Sequence, residues 1–577
     1  MDNAAIIRIL RETAGLLEIK QANRFRIRAY RNAIHTLEGQ TVPLARRVAA
    51  GEDLTQLDGI GKELAKHIVE LVETGELERH RELLATYPRG LLRVKEVPGV
   101  GPRKAERLWR ELGVAGLGDL ESAAKAGKIA PLSGFGLTSQ DKILRALIRS
   151  RQHRGRFRLA DADLIVEPLL AHLRRFPGVG RLEAAGSLRR RRETVGDLDL
   201  LATCEGDGGA LIRHFTSFPQ VEAVTMAGET RASVLLASGL QVDLRVVPEA
   251  SYGAALVYFT GSKEHNVHLR RRAVERGLKI SEYGVFREGD ESALGGARED
   301  EIYRAVGLDW IPPELREDRG ELRAAGAGGL PTPLRREQLR GDLHMHSTWS
   351  DGKVTLEEMV IACKARGHQY MAIADHSPAL AMVGGLNAER LRQQWREIEE
   401  IAERHPEIRI LRALEVDILA DGSLDMDDES LAQLDLVVAS VHSHFDLPRD
   451  QQTKRLVTAL EHPAVSILGH PLGRSIPKRG PIDIDVDALL ETARDQRVAV
   501  EINCRPRRLD LPDIHLMRAR ELGVPIVINT DAHRPEHLDL LSYGIEQARR
   551  AWIEPEMVLN TLPVDELLAR LASQRTA

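Results

Sequence analysis

Apolar positions recur at helical spacing from the start of the chain: Ile6, Ile7, Ile9, Leu10, Leu16 and Leu17 mark one face of an amphipathic helix. Helical patterning continues without a strong strand-like run, so residues 1–150 read as all-helical. Between residues 160 and 320 the pattern changes. Short apolar runs at 198–201, 233–236 and 242–247 read as strands of an antiparallel sheet, with Ser238-Gly239 as the tight turn between the last two. Beyond 340, apolar runs at 371–374, 408–411, 436–441, 467–468, 499–502 and 524–528 alternate with helical stretches. That alternation predicts parallel βα units closed into a barrel.

Between the last two regions lies Ala324-Ala325-Gly326-Ala327-Gly328-Gly329-Leu330-Pro331-Thr332-Pro333, small and turn-rich, which reads as the flexible part of a linker over 321–338. A softer boundary falls at 151–159. The expected domains are therefore 1–150, 151–320 and 339–577, consistent with ~150 residues per domain in a chain of 577. No run of ~18 apolar residues would span a bilayer, and the first helix has no signal-peptide core. Cys204, Cys363 and Cys504 are too far apart for a zinc finger or a disulfide framework, which suits a reducing cytoplasm.

Charge divides unevenly. The net of -5 is made of +6 over residues 1–150, -1 over 151–330 and -10 over 331–577. The first region suits a polyanion; the last would repel DNA unless metal ions offset its charge.

In the helical region, Leu57-Asp58-Gly59-Ile60-Gly61-Lys62 and Val97-Pro98-Gly99-Val100-Gly101-Pro102 share the form apolar-x-Gly-apolar-Gly, and each leads into a helix (63–71 and 103–112). Such a turn points backbone N–H groups outward, where they hold a phosphate regardless of base. Lys62, Lys66, Arg103, Lys104 and Arg107 add charge. One copy would read as a helix–helix connection; two in a basic region resemble helix-hairpin-helix DNA-binding motifs. A looser third segment, Leu132-Ser133-Gly134-Phe135-Gly136, reads as structural.

The stretch from Gly186-Ser187 through four arginines to Asp197-Leu198-Asp199 carries the most chemistry. Alternate residues of a strand share a face about 7 Å apart, so Asp197 and Asp199 point the same way. Unpaired carboxylates in an apolar strand cost several kcal/mol, which favours metal binding. Nucleotidyl transfer uses two metals about 4 Å apart, and Asp243 on a neighbouring strand supplies a third carboxylate. Mg²⁺ or Mn²⁺ suits such a site.

With Tyr258-Phe259-Thr260-Gly261-Ser262, then Asn266 and Arg270, and a thumb-like Trp310-Ile311-Pro312-Pro313-Glu314-Leu315-Arg316, residues 1–320 resemble the family X DNA polymerases, with a polymerase beta-like core. The resemblance implies a helical DNA-binding domain with fingers, then an α+β nucleotidyltransferase palm with thumb. It implies catalytic Asp197, Asp199 and Asp243, and a nucleotide site of Gly186, Ser187, Arg190, Tyr258, Phe259, Gly261 and Asn266. Ser187 and Arg190 would grip the triphosphate. Tyr258-Phe259 would pack under the sugar, and Asn266 would read the minor-groove edge. DNA contacts would come from Gly59, Gly61, Lys62, Gly99, Gly101, Arg103, Lys104 and Arg270. One position departs from the family: where some members carry a Schiff-base lysine stands His67, preceded by Lys66, which argues against deoxyribose-phosphate lyase activity.

Twelve of the twenty histidines lie beyond residue 340, many at the ends of expected strands. They stand in Asp342-Leu343-His344-Met345-His346, Asp375-His376, Val441-His442-Ser443-His444, Gly469-His470-Pro471 and Asp531-Ala532-His533, with Asp351 and Glu415 nearby in pattern. Strand ends of a parallel barrel converge on one mouth, and imidazole with carboxylate suits Zn²⁺, Mn²⁺ or Fe²⁺. The pattern resembles the PHP family, which implies a distorted (β/α)7 barrel with three ions, Mn²⁺ or Zn²⁺. The implied ligands are His344, His346, Asp351, His376, Glu415, His442, His470, Asp531 and His533, with Glu415 as a bridge. Asp375 and His444 fit supporting roles.

The two resemblances together imply a bacterial DNA-directed DNA polymerase for gap-filling repair, acting on gapped or primer-template DNA with dNTPs. They add a metal-dependent 3′→5′ exonuclease, extending to AP-endonuclease and 3′-end processing. The expected protein is a cytoplasmic, nucleoid-associated monomer without membrane contact. Two other readings stay open: a nucleotidyltransferase with a small-phosphoester phosphatase, and a PHP domain serving as scaffold only.

Overall fold

Ile6, Ile9, Leu10, Leu16 and Leu17 are all buried along the first helix, Asn3–Ile19, so the helical stripe of the sequence becomes the seam of the first core. The computed structural model describes residues 3–38, 44–57, 59–97, 99–152, 156–287, 289 and 292–575. The chain divides into two units, Met1–Arg154 and Gly155–Ala577.

Among the described residues the first unit contains helices and no strand. Ile60 and Val100, the apolar residues between the paired glycines, are buried in its core, while Gly59, Gly61 and Gly99 are exposed. Gly59, Gly99 and Gly101 have φ of +71°, +89° and +63°, the left-handed region that glycine enters without strain. Helices Lys62–Thr74 and Gly101–Leu112 follow directly. Asp58 and Pro98 of these turns, and 153–155 of the expected boundary, lie outside the described residues.

In the second unit, five strands form a sheet in the order Val179–Ala184, Asp197–Cys204, Gln241–Val246, Arg231–Leu236, Val221–Ala227. Leu198, Leu200, Val242 and Leu244 face a core shared with helices Leu159–Arg174 and Gly208–Thr216. The sheet is mixed rather than antiparallel: Asp197–Cys204 and Gln241–Val246 run parallel. A helix and then a hairpin intervene between them, and that crossover returns the chain in the same direction. Ser238-Gly239 does turn the last hairpin, with Gly239 at φ +84°. Helices Tyr252–Thr260 and Lys263–Val274, a three-stranded sheet and helix Glu299–Ala305 follow.

The Ala/Gly/Pro segment is less slack than its composition suggests. Helix Glu321–Gly326 opens it, with Glu321 buried 2.7 Å from His265 Nδ1. Thr332 N–H donates to Glu554 (3.0 Å), and Arg549 Nε donates to the carbonyl of buried Leu334 (2.8 Å). Beyond it, seven parallel strands follow chain order: Gly341–Met345, Tyr370–Ile373, Arg409–Asp417, Leu436–Ser440, Ile467–Leu468, Ala499–Asn503 and Ile526–Asn529. Leu343 N–H donates to Asn529 Oδ1 (3.0 Å) and His346 N–H to Ala532 O (2.8 Å), which nearly closes the barrel. No helix among the described residues is long and apolar enough to cross a membrane.

Candidate active sites

Asp197 and Asp199 open onto a 670 Å³ cavity that Gly186, Ser187, Arg190, Tyr258, Phe259, Gly261, Asn266 and Arg270 also line. Strand alternation puts the two aspartates on the face opposite Leu198 and Leu200. Burial pushes the Asp199 carboxyl up to about 6, with the charges of Asp197 and Asp243 adding to it. A divalent cation is what such a cluster lacks for all its carboxylates to ionise, so the donors fit Mg²⁺ or Mn²⁺. Asp243 is the register partner of Asp199 across the parallel strands. Its carboxylate, however, accepts from Ser233 Oγ and from Gln241 Nε2 (2.9 Å), and it is not among the cavity-lining residues.

Around this cavity, Tyr258 and Phe259 meet edge to face at 5.0 Å between centroids, and the Arg245 guanidinium lies 4.4 Å over the Phe259 ring. Asn266 Nδ2 donates to Tyr258 O (2.7 Å), and Arg270 Nε donates to Asn266 O (3.2 Å). Arg190 Nη1 donates to Thr260 O (2.5 Å) and Nε to Glu317 (3.0 Å), leaving Nη2 as the nitrogen neither bond uses. In the first unit, Lys62 and Arg103 are exposed beside their turns, and Lys104 Nζ donates back to Gly99 O (2.9 Å).

In the barrel, three overlapping groups have ligand atoms within 4.8 Å of one another among the described residues: His346, Asp351, His376 and His533; His344, His346 and Asp531; His376, Glu415 and His442. The Asp197, Asp199 and Asp243 set is not such a group. Glu415 is the hub. Its Oε2 lies 3.4 Å from His344, 3.6 Å from His346 and 2.9 Å from His376, and its Oε1 3.4 Å from His442 and 2.9 Å from His470. His470 stands outside the three groups and reaches the cluster through this contact.

The cluster is buried, yet His344 Nε2, both nitrogens of His346, Asp351 Oδ1 and His470 Nδ1 have no hydrogen-bond partner. Native proteins rarely bury polar atoms unpartnered. Lone pairs from imidazole and carboxylate aimed at common points suit Mn²⁺ or Zn²⁺. Electrostatics agree. Burial opposes ionisation of Glu415, but His344, His376 and His442 outweigh it and hold its pKa well below the carboxylate range. Burial, with His533 and His376 beside it, holds His346 well below the usual histidine range.

Sequence reading missed the residues that hold these candidate ligands. Glu501 Oε1 lies 2.7 Å from His344 Nδ1, and Asp417 Oδ1 lies 2.6 Å from His442 Nδ1. Arg505 Nη1 donates to Asp531 O (2.9 Å) and lies 2.9 Å from His533 Nδ1. Such partners orient ligands and set tautomers. A carboxylate flanked by apolar residues was the available signal for Glu501, whereas Asp417 ends a strand that already carries Arg409, Arg412 and Glu415 and so does not stand out. Asp375 accepts from Ser347 N–H (2.9 Å) and Gln394 (2.7 Å), bracing the loop after His346, and His444 is exposed.

Comparison with known proteins identifies the domains that carry these sites. Residues 1–77 match the helix-hairpin-helix domain, 255–317 the DNA polymerase beta thumb and 342–504 the PHP domain. Over 328 residues, covering 52% of this chain and 53% of the relative, the chain is 24% identical to DNA polymerase lambda of Rattus norvegicus. It is 28% identical over 232 residues (38% of this chain, 89% of the relative) to a protein named a probable phosphatase in a Thermoanaerobacter species. It is 41% identical over 575 residues, 99% of both chains, to the DNA polymerase/3'-5' exonuclease PolX of Bacillus subtilis. With that extent of identity and all three matching domains, the chain belongs to the PolX family, a family X polymerase core joined to a C-terminal PHP domain.

Proposed function

We propose that this chain fills gaps in DNA during repair and trims 3′ ends, as a DNA-directed DNA polymerase with a 3′→5′ exonuclease in the same polypeptide. The observation that carries it is the separation of the two sites: the Asp197–Asp199 cavity and the Glu415-centred cluster share no residue. Residues 1–150 grip DNA, 151–320 form the palm and thumb, 321–338 connect, and 339–577 form the phosphoesterase. Divalent cations, Mg²⁺ or Mn²⁺ at the first site and three Mn²⁺ or Zn²⁺ ions at the second, supply Lewis acidity to phosphoryl oxygens.

At the first site Asp197, Asp199 and Asp243 would hold the metals, the Asp243 carboxylate being the one that also accepts from Ser233 and Gln241. Ser187 and Arg190 hold the outer phosphates of the dNTP, Tyr258 and Phe259 pack under its sugar, and Asn266 meets the minor-groove edge of the new pair. The primer 3′-oxygen bonds to the α-phosphorus, its proton departs, and pyrophosphate leaves. At the second site His344, His346, Asp351, His376, Glu415, His442, His470, Asp531 and His533 would hold the metals. Water oxygen bonds to the phosphorus of the terminal phosphodiester and gives up a proton, while the 3′-oxygen of the preceding nucleotide leaves and takes one up, releasing a nucleoside 5′-monophosphate and a new 3′-hydroxyl. Cleavage at abasic sites belongs to the same chemistry. The acting form is a monomer in the cytoplasm.

The test is separable loss. Asp197→Ala abolishes dNTP addition to gapped DNA and spares 3′→5′ cleavage, and His344→Ala does the reverse. Loss of both activities in either variant overturns the two-site reading.

A further inference from the structure

The four consecutive arginines that precede the Asp197–Asp199 strand each meet a carboxylate, and one of those contacts, Arg191 with Glu546, reaches into the PHP domain. Arg189 meets Glu299 (2.7 Å), and Arg191 meets both Asp163 (2.7 Å) and Glu546 (2.8 Å). Arg190 and Arg192 share Glu317, each at 3.0 Å, on Oε1 and Oε2 respectively. Behind Glu317 stands Arg550, the last residue of helix Leu541–Arg550, with a side chain only 2% exposed. Its Nη1 donates to the Arg190 carbonyl (2.6 Å) and lies 3.1 Å from Glu317 Oε1. Its Nη2 donates to Asp513 Oδ2 (2.6 Å), which Arg319 also meets at 3.0 Å.

The planar guanidinium suits this task. It presents donors in a fixed fork, so one buried side chain fixes the backbone of Arg190 and the carboxylate that orients the Arg190 side chain at once. Arg190 lines the polymerase cavity, whereas Arg550 is not among its lining residues. A second brace supports the same loop, because Arg474, four residues past His470, meets Glu193 at 2.7 Å. The loop that leads to the catalytic aspartates is thus anchored on the nuclease module.

The geometry points to Arg550 as a positioning residue for nucleotide binding at the polymerase site, acting through Glu317 and Arg190. DNA synthesis then depends on the PHP domain as a structural partner, independently of that domain's metal chemistry. The inference rests on the polymerase reading above, with Arg190 on the triphosphate.

Steady-state gap filling with the full chain, at varied dNTP, tests it, with 3′→5′ cleavage of single-stranded DNA as control. Arg550→Met raises the dNTP KM about tenfold, as expected for a binding group displaced but not removed, and changes kcat and 3′→5′ cleavage far less. Arg550→Lys, which keeps the charge without the fork, falls between. Glu317→Gln raises KM similarly, and the double variant is no worse than the worse single, because both act through one relay. An unchanged KM in Arg550→Met overturns the inference. So does multiplication of the two single effects, or a parallel loss of both activities that Arg550→Lys does not separate. If the unsubstituted chain adds no dNTP at all, the polymerase reading fails instead.

Discussion

Gly186 lies so close to Asp199 that a Cβ there would stand 2.5 Å from the Asp199 Oδ2 atom. Its φ of +60° is a second reason for glycine, since an L side chain is strained in that region. The Gly-Ser turn is therefore shaped around the carboxylate. Gly186→Ala must displace either the turn or Asp199, and displacement of about 1 Å costs on the order of 100-fold in rate. Gap-filling kcat/KM falls by that order while 3′→5′ cleavage stays at the unsubstituted rate. Retention of gap filling within about twofold would show that the contact is unimportant.

The unpartnered nitrogens of the barrel make a prediction about composition. His346 has two buried ring nitrogens without a hydrogen-bond partner, and Glu415 touches five histidines. Elemental analysis of the purified chain finds Mn²⁺ or Zn²⁺ at about three ions per chain, and Glu415→Gln loses most of them. Ions bound only to the folded state add about 2.7 kcal/mol when free metal is 100 times Kd, so chelation lowers the unfolding temperature. Background metal in a preparation that still cleaves 3′ ends would refute the assignment.

Why some elements could be read in the chain and others could not has physical causes. Asp197 and Asp199 were legible because two carboxylates at strand spacing interrupt a buried run. The strand Gly341–Met345 was not, because Asp342 and His344 disguise a fully buried strand as a polar one. Val179–Ala184 and Val221–Ala227 are sheet edges with largely exposed residues, so they lack an apolar signature. Parallel pairing of Asp199 with Asp243 is a property of the crossover, not of either strand. The linker misled through composition: its glycines read as slack, while its Leu334 is buried in the barrel core. Arg550 carried no local signal at all, since its partners lie 37 and more than 200 residues away along the chain.

At the position where some family members carry a Schiff-base lysine, the His67 Nδ1 lies 3.0 Å from the Tyr30 hydroxyl, and burial lowers its pKa. An imidazole has no primary amine to condense with an aldehyde, whatever its pKa. Lys66 is one residue away, about 100° around the helix, and is exposed. Borohydride treatment on a nicked abasic DNA therefore traps no covalent complex. A trapped complex lost in Lys66→Ala would overturn this and assign lyase chemistry to the neighbouring lysine.

The Arg550 network also sets a pH dependence. Burial alone would raise the Asp513 pKa, but Arg550 and Arg319 outweigh it and hold the carboxyl down at about 2, against an ordinary 3.8. A depressed folded pKa contributes stability that is complete above the ordinary value and is lost as the pH falls through the folded one. A shift of nearly two units corresponds to about 2 kcal/mol. Asp513→Asn keeps the shape and removes the charge, leaving Arg550 to Glu317 alone. The variant is thus less stable than the unsubstituted chain by about 2 kcal/mol near pH 7, and the gap closes as pH falls from about 4 to about 2. Calorimetric unfolding of both forms across that window measures the gap, and a difference that stays constant down to about pH 2 would mean that Asp513 ionisation does not stabilise the network.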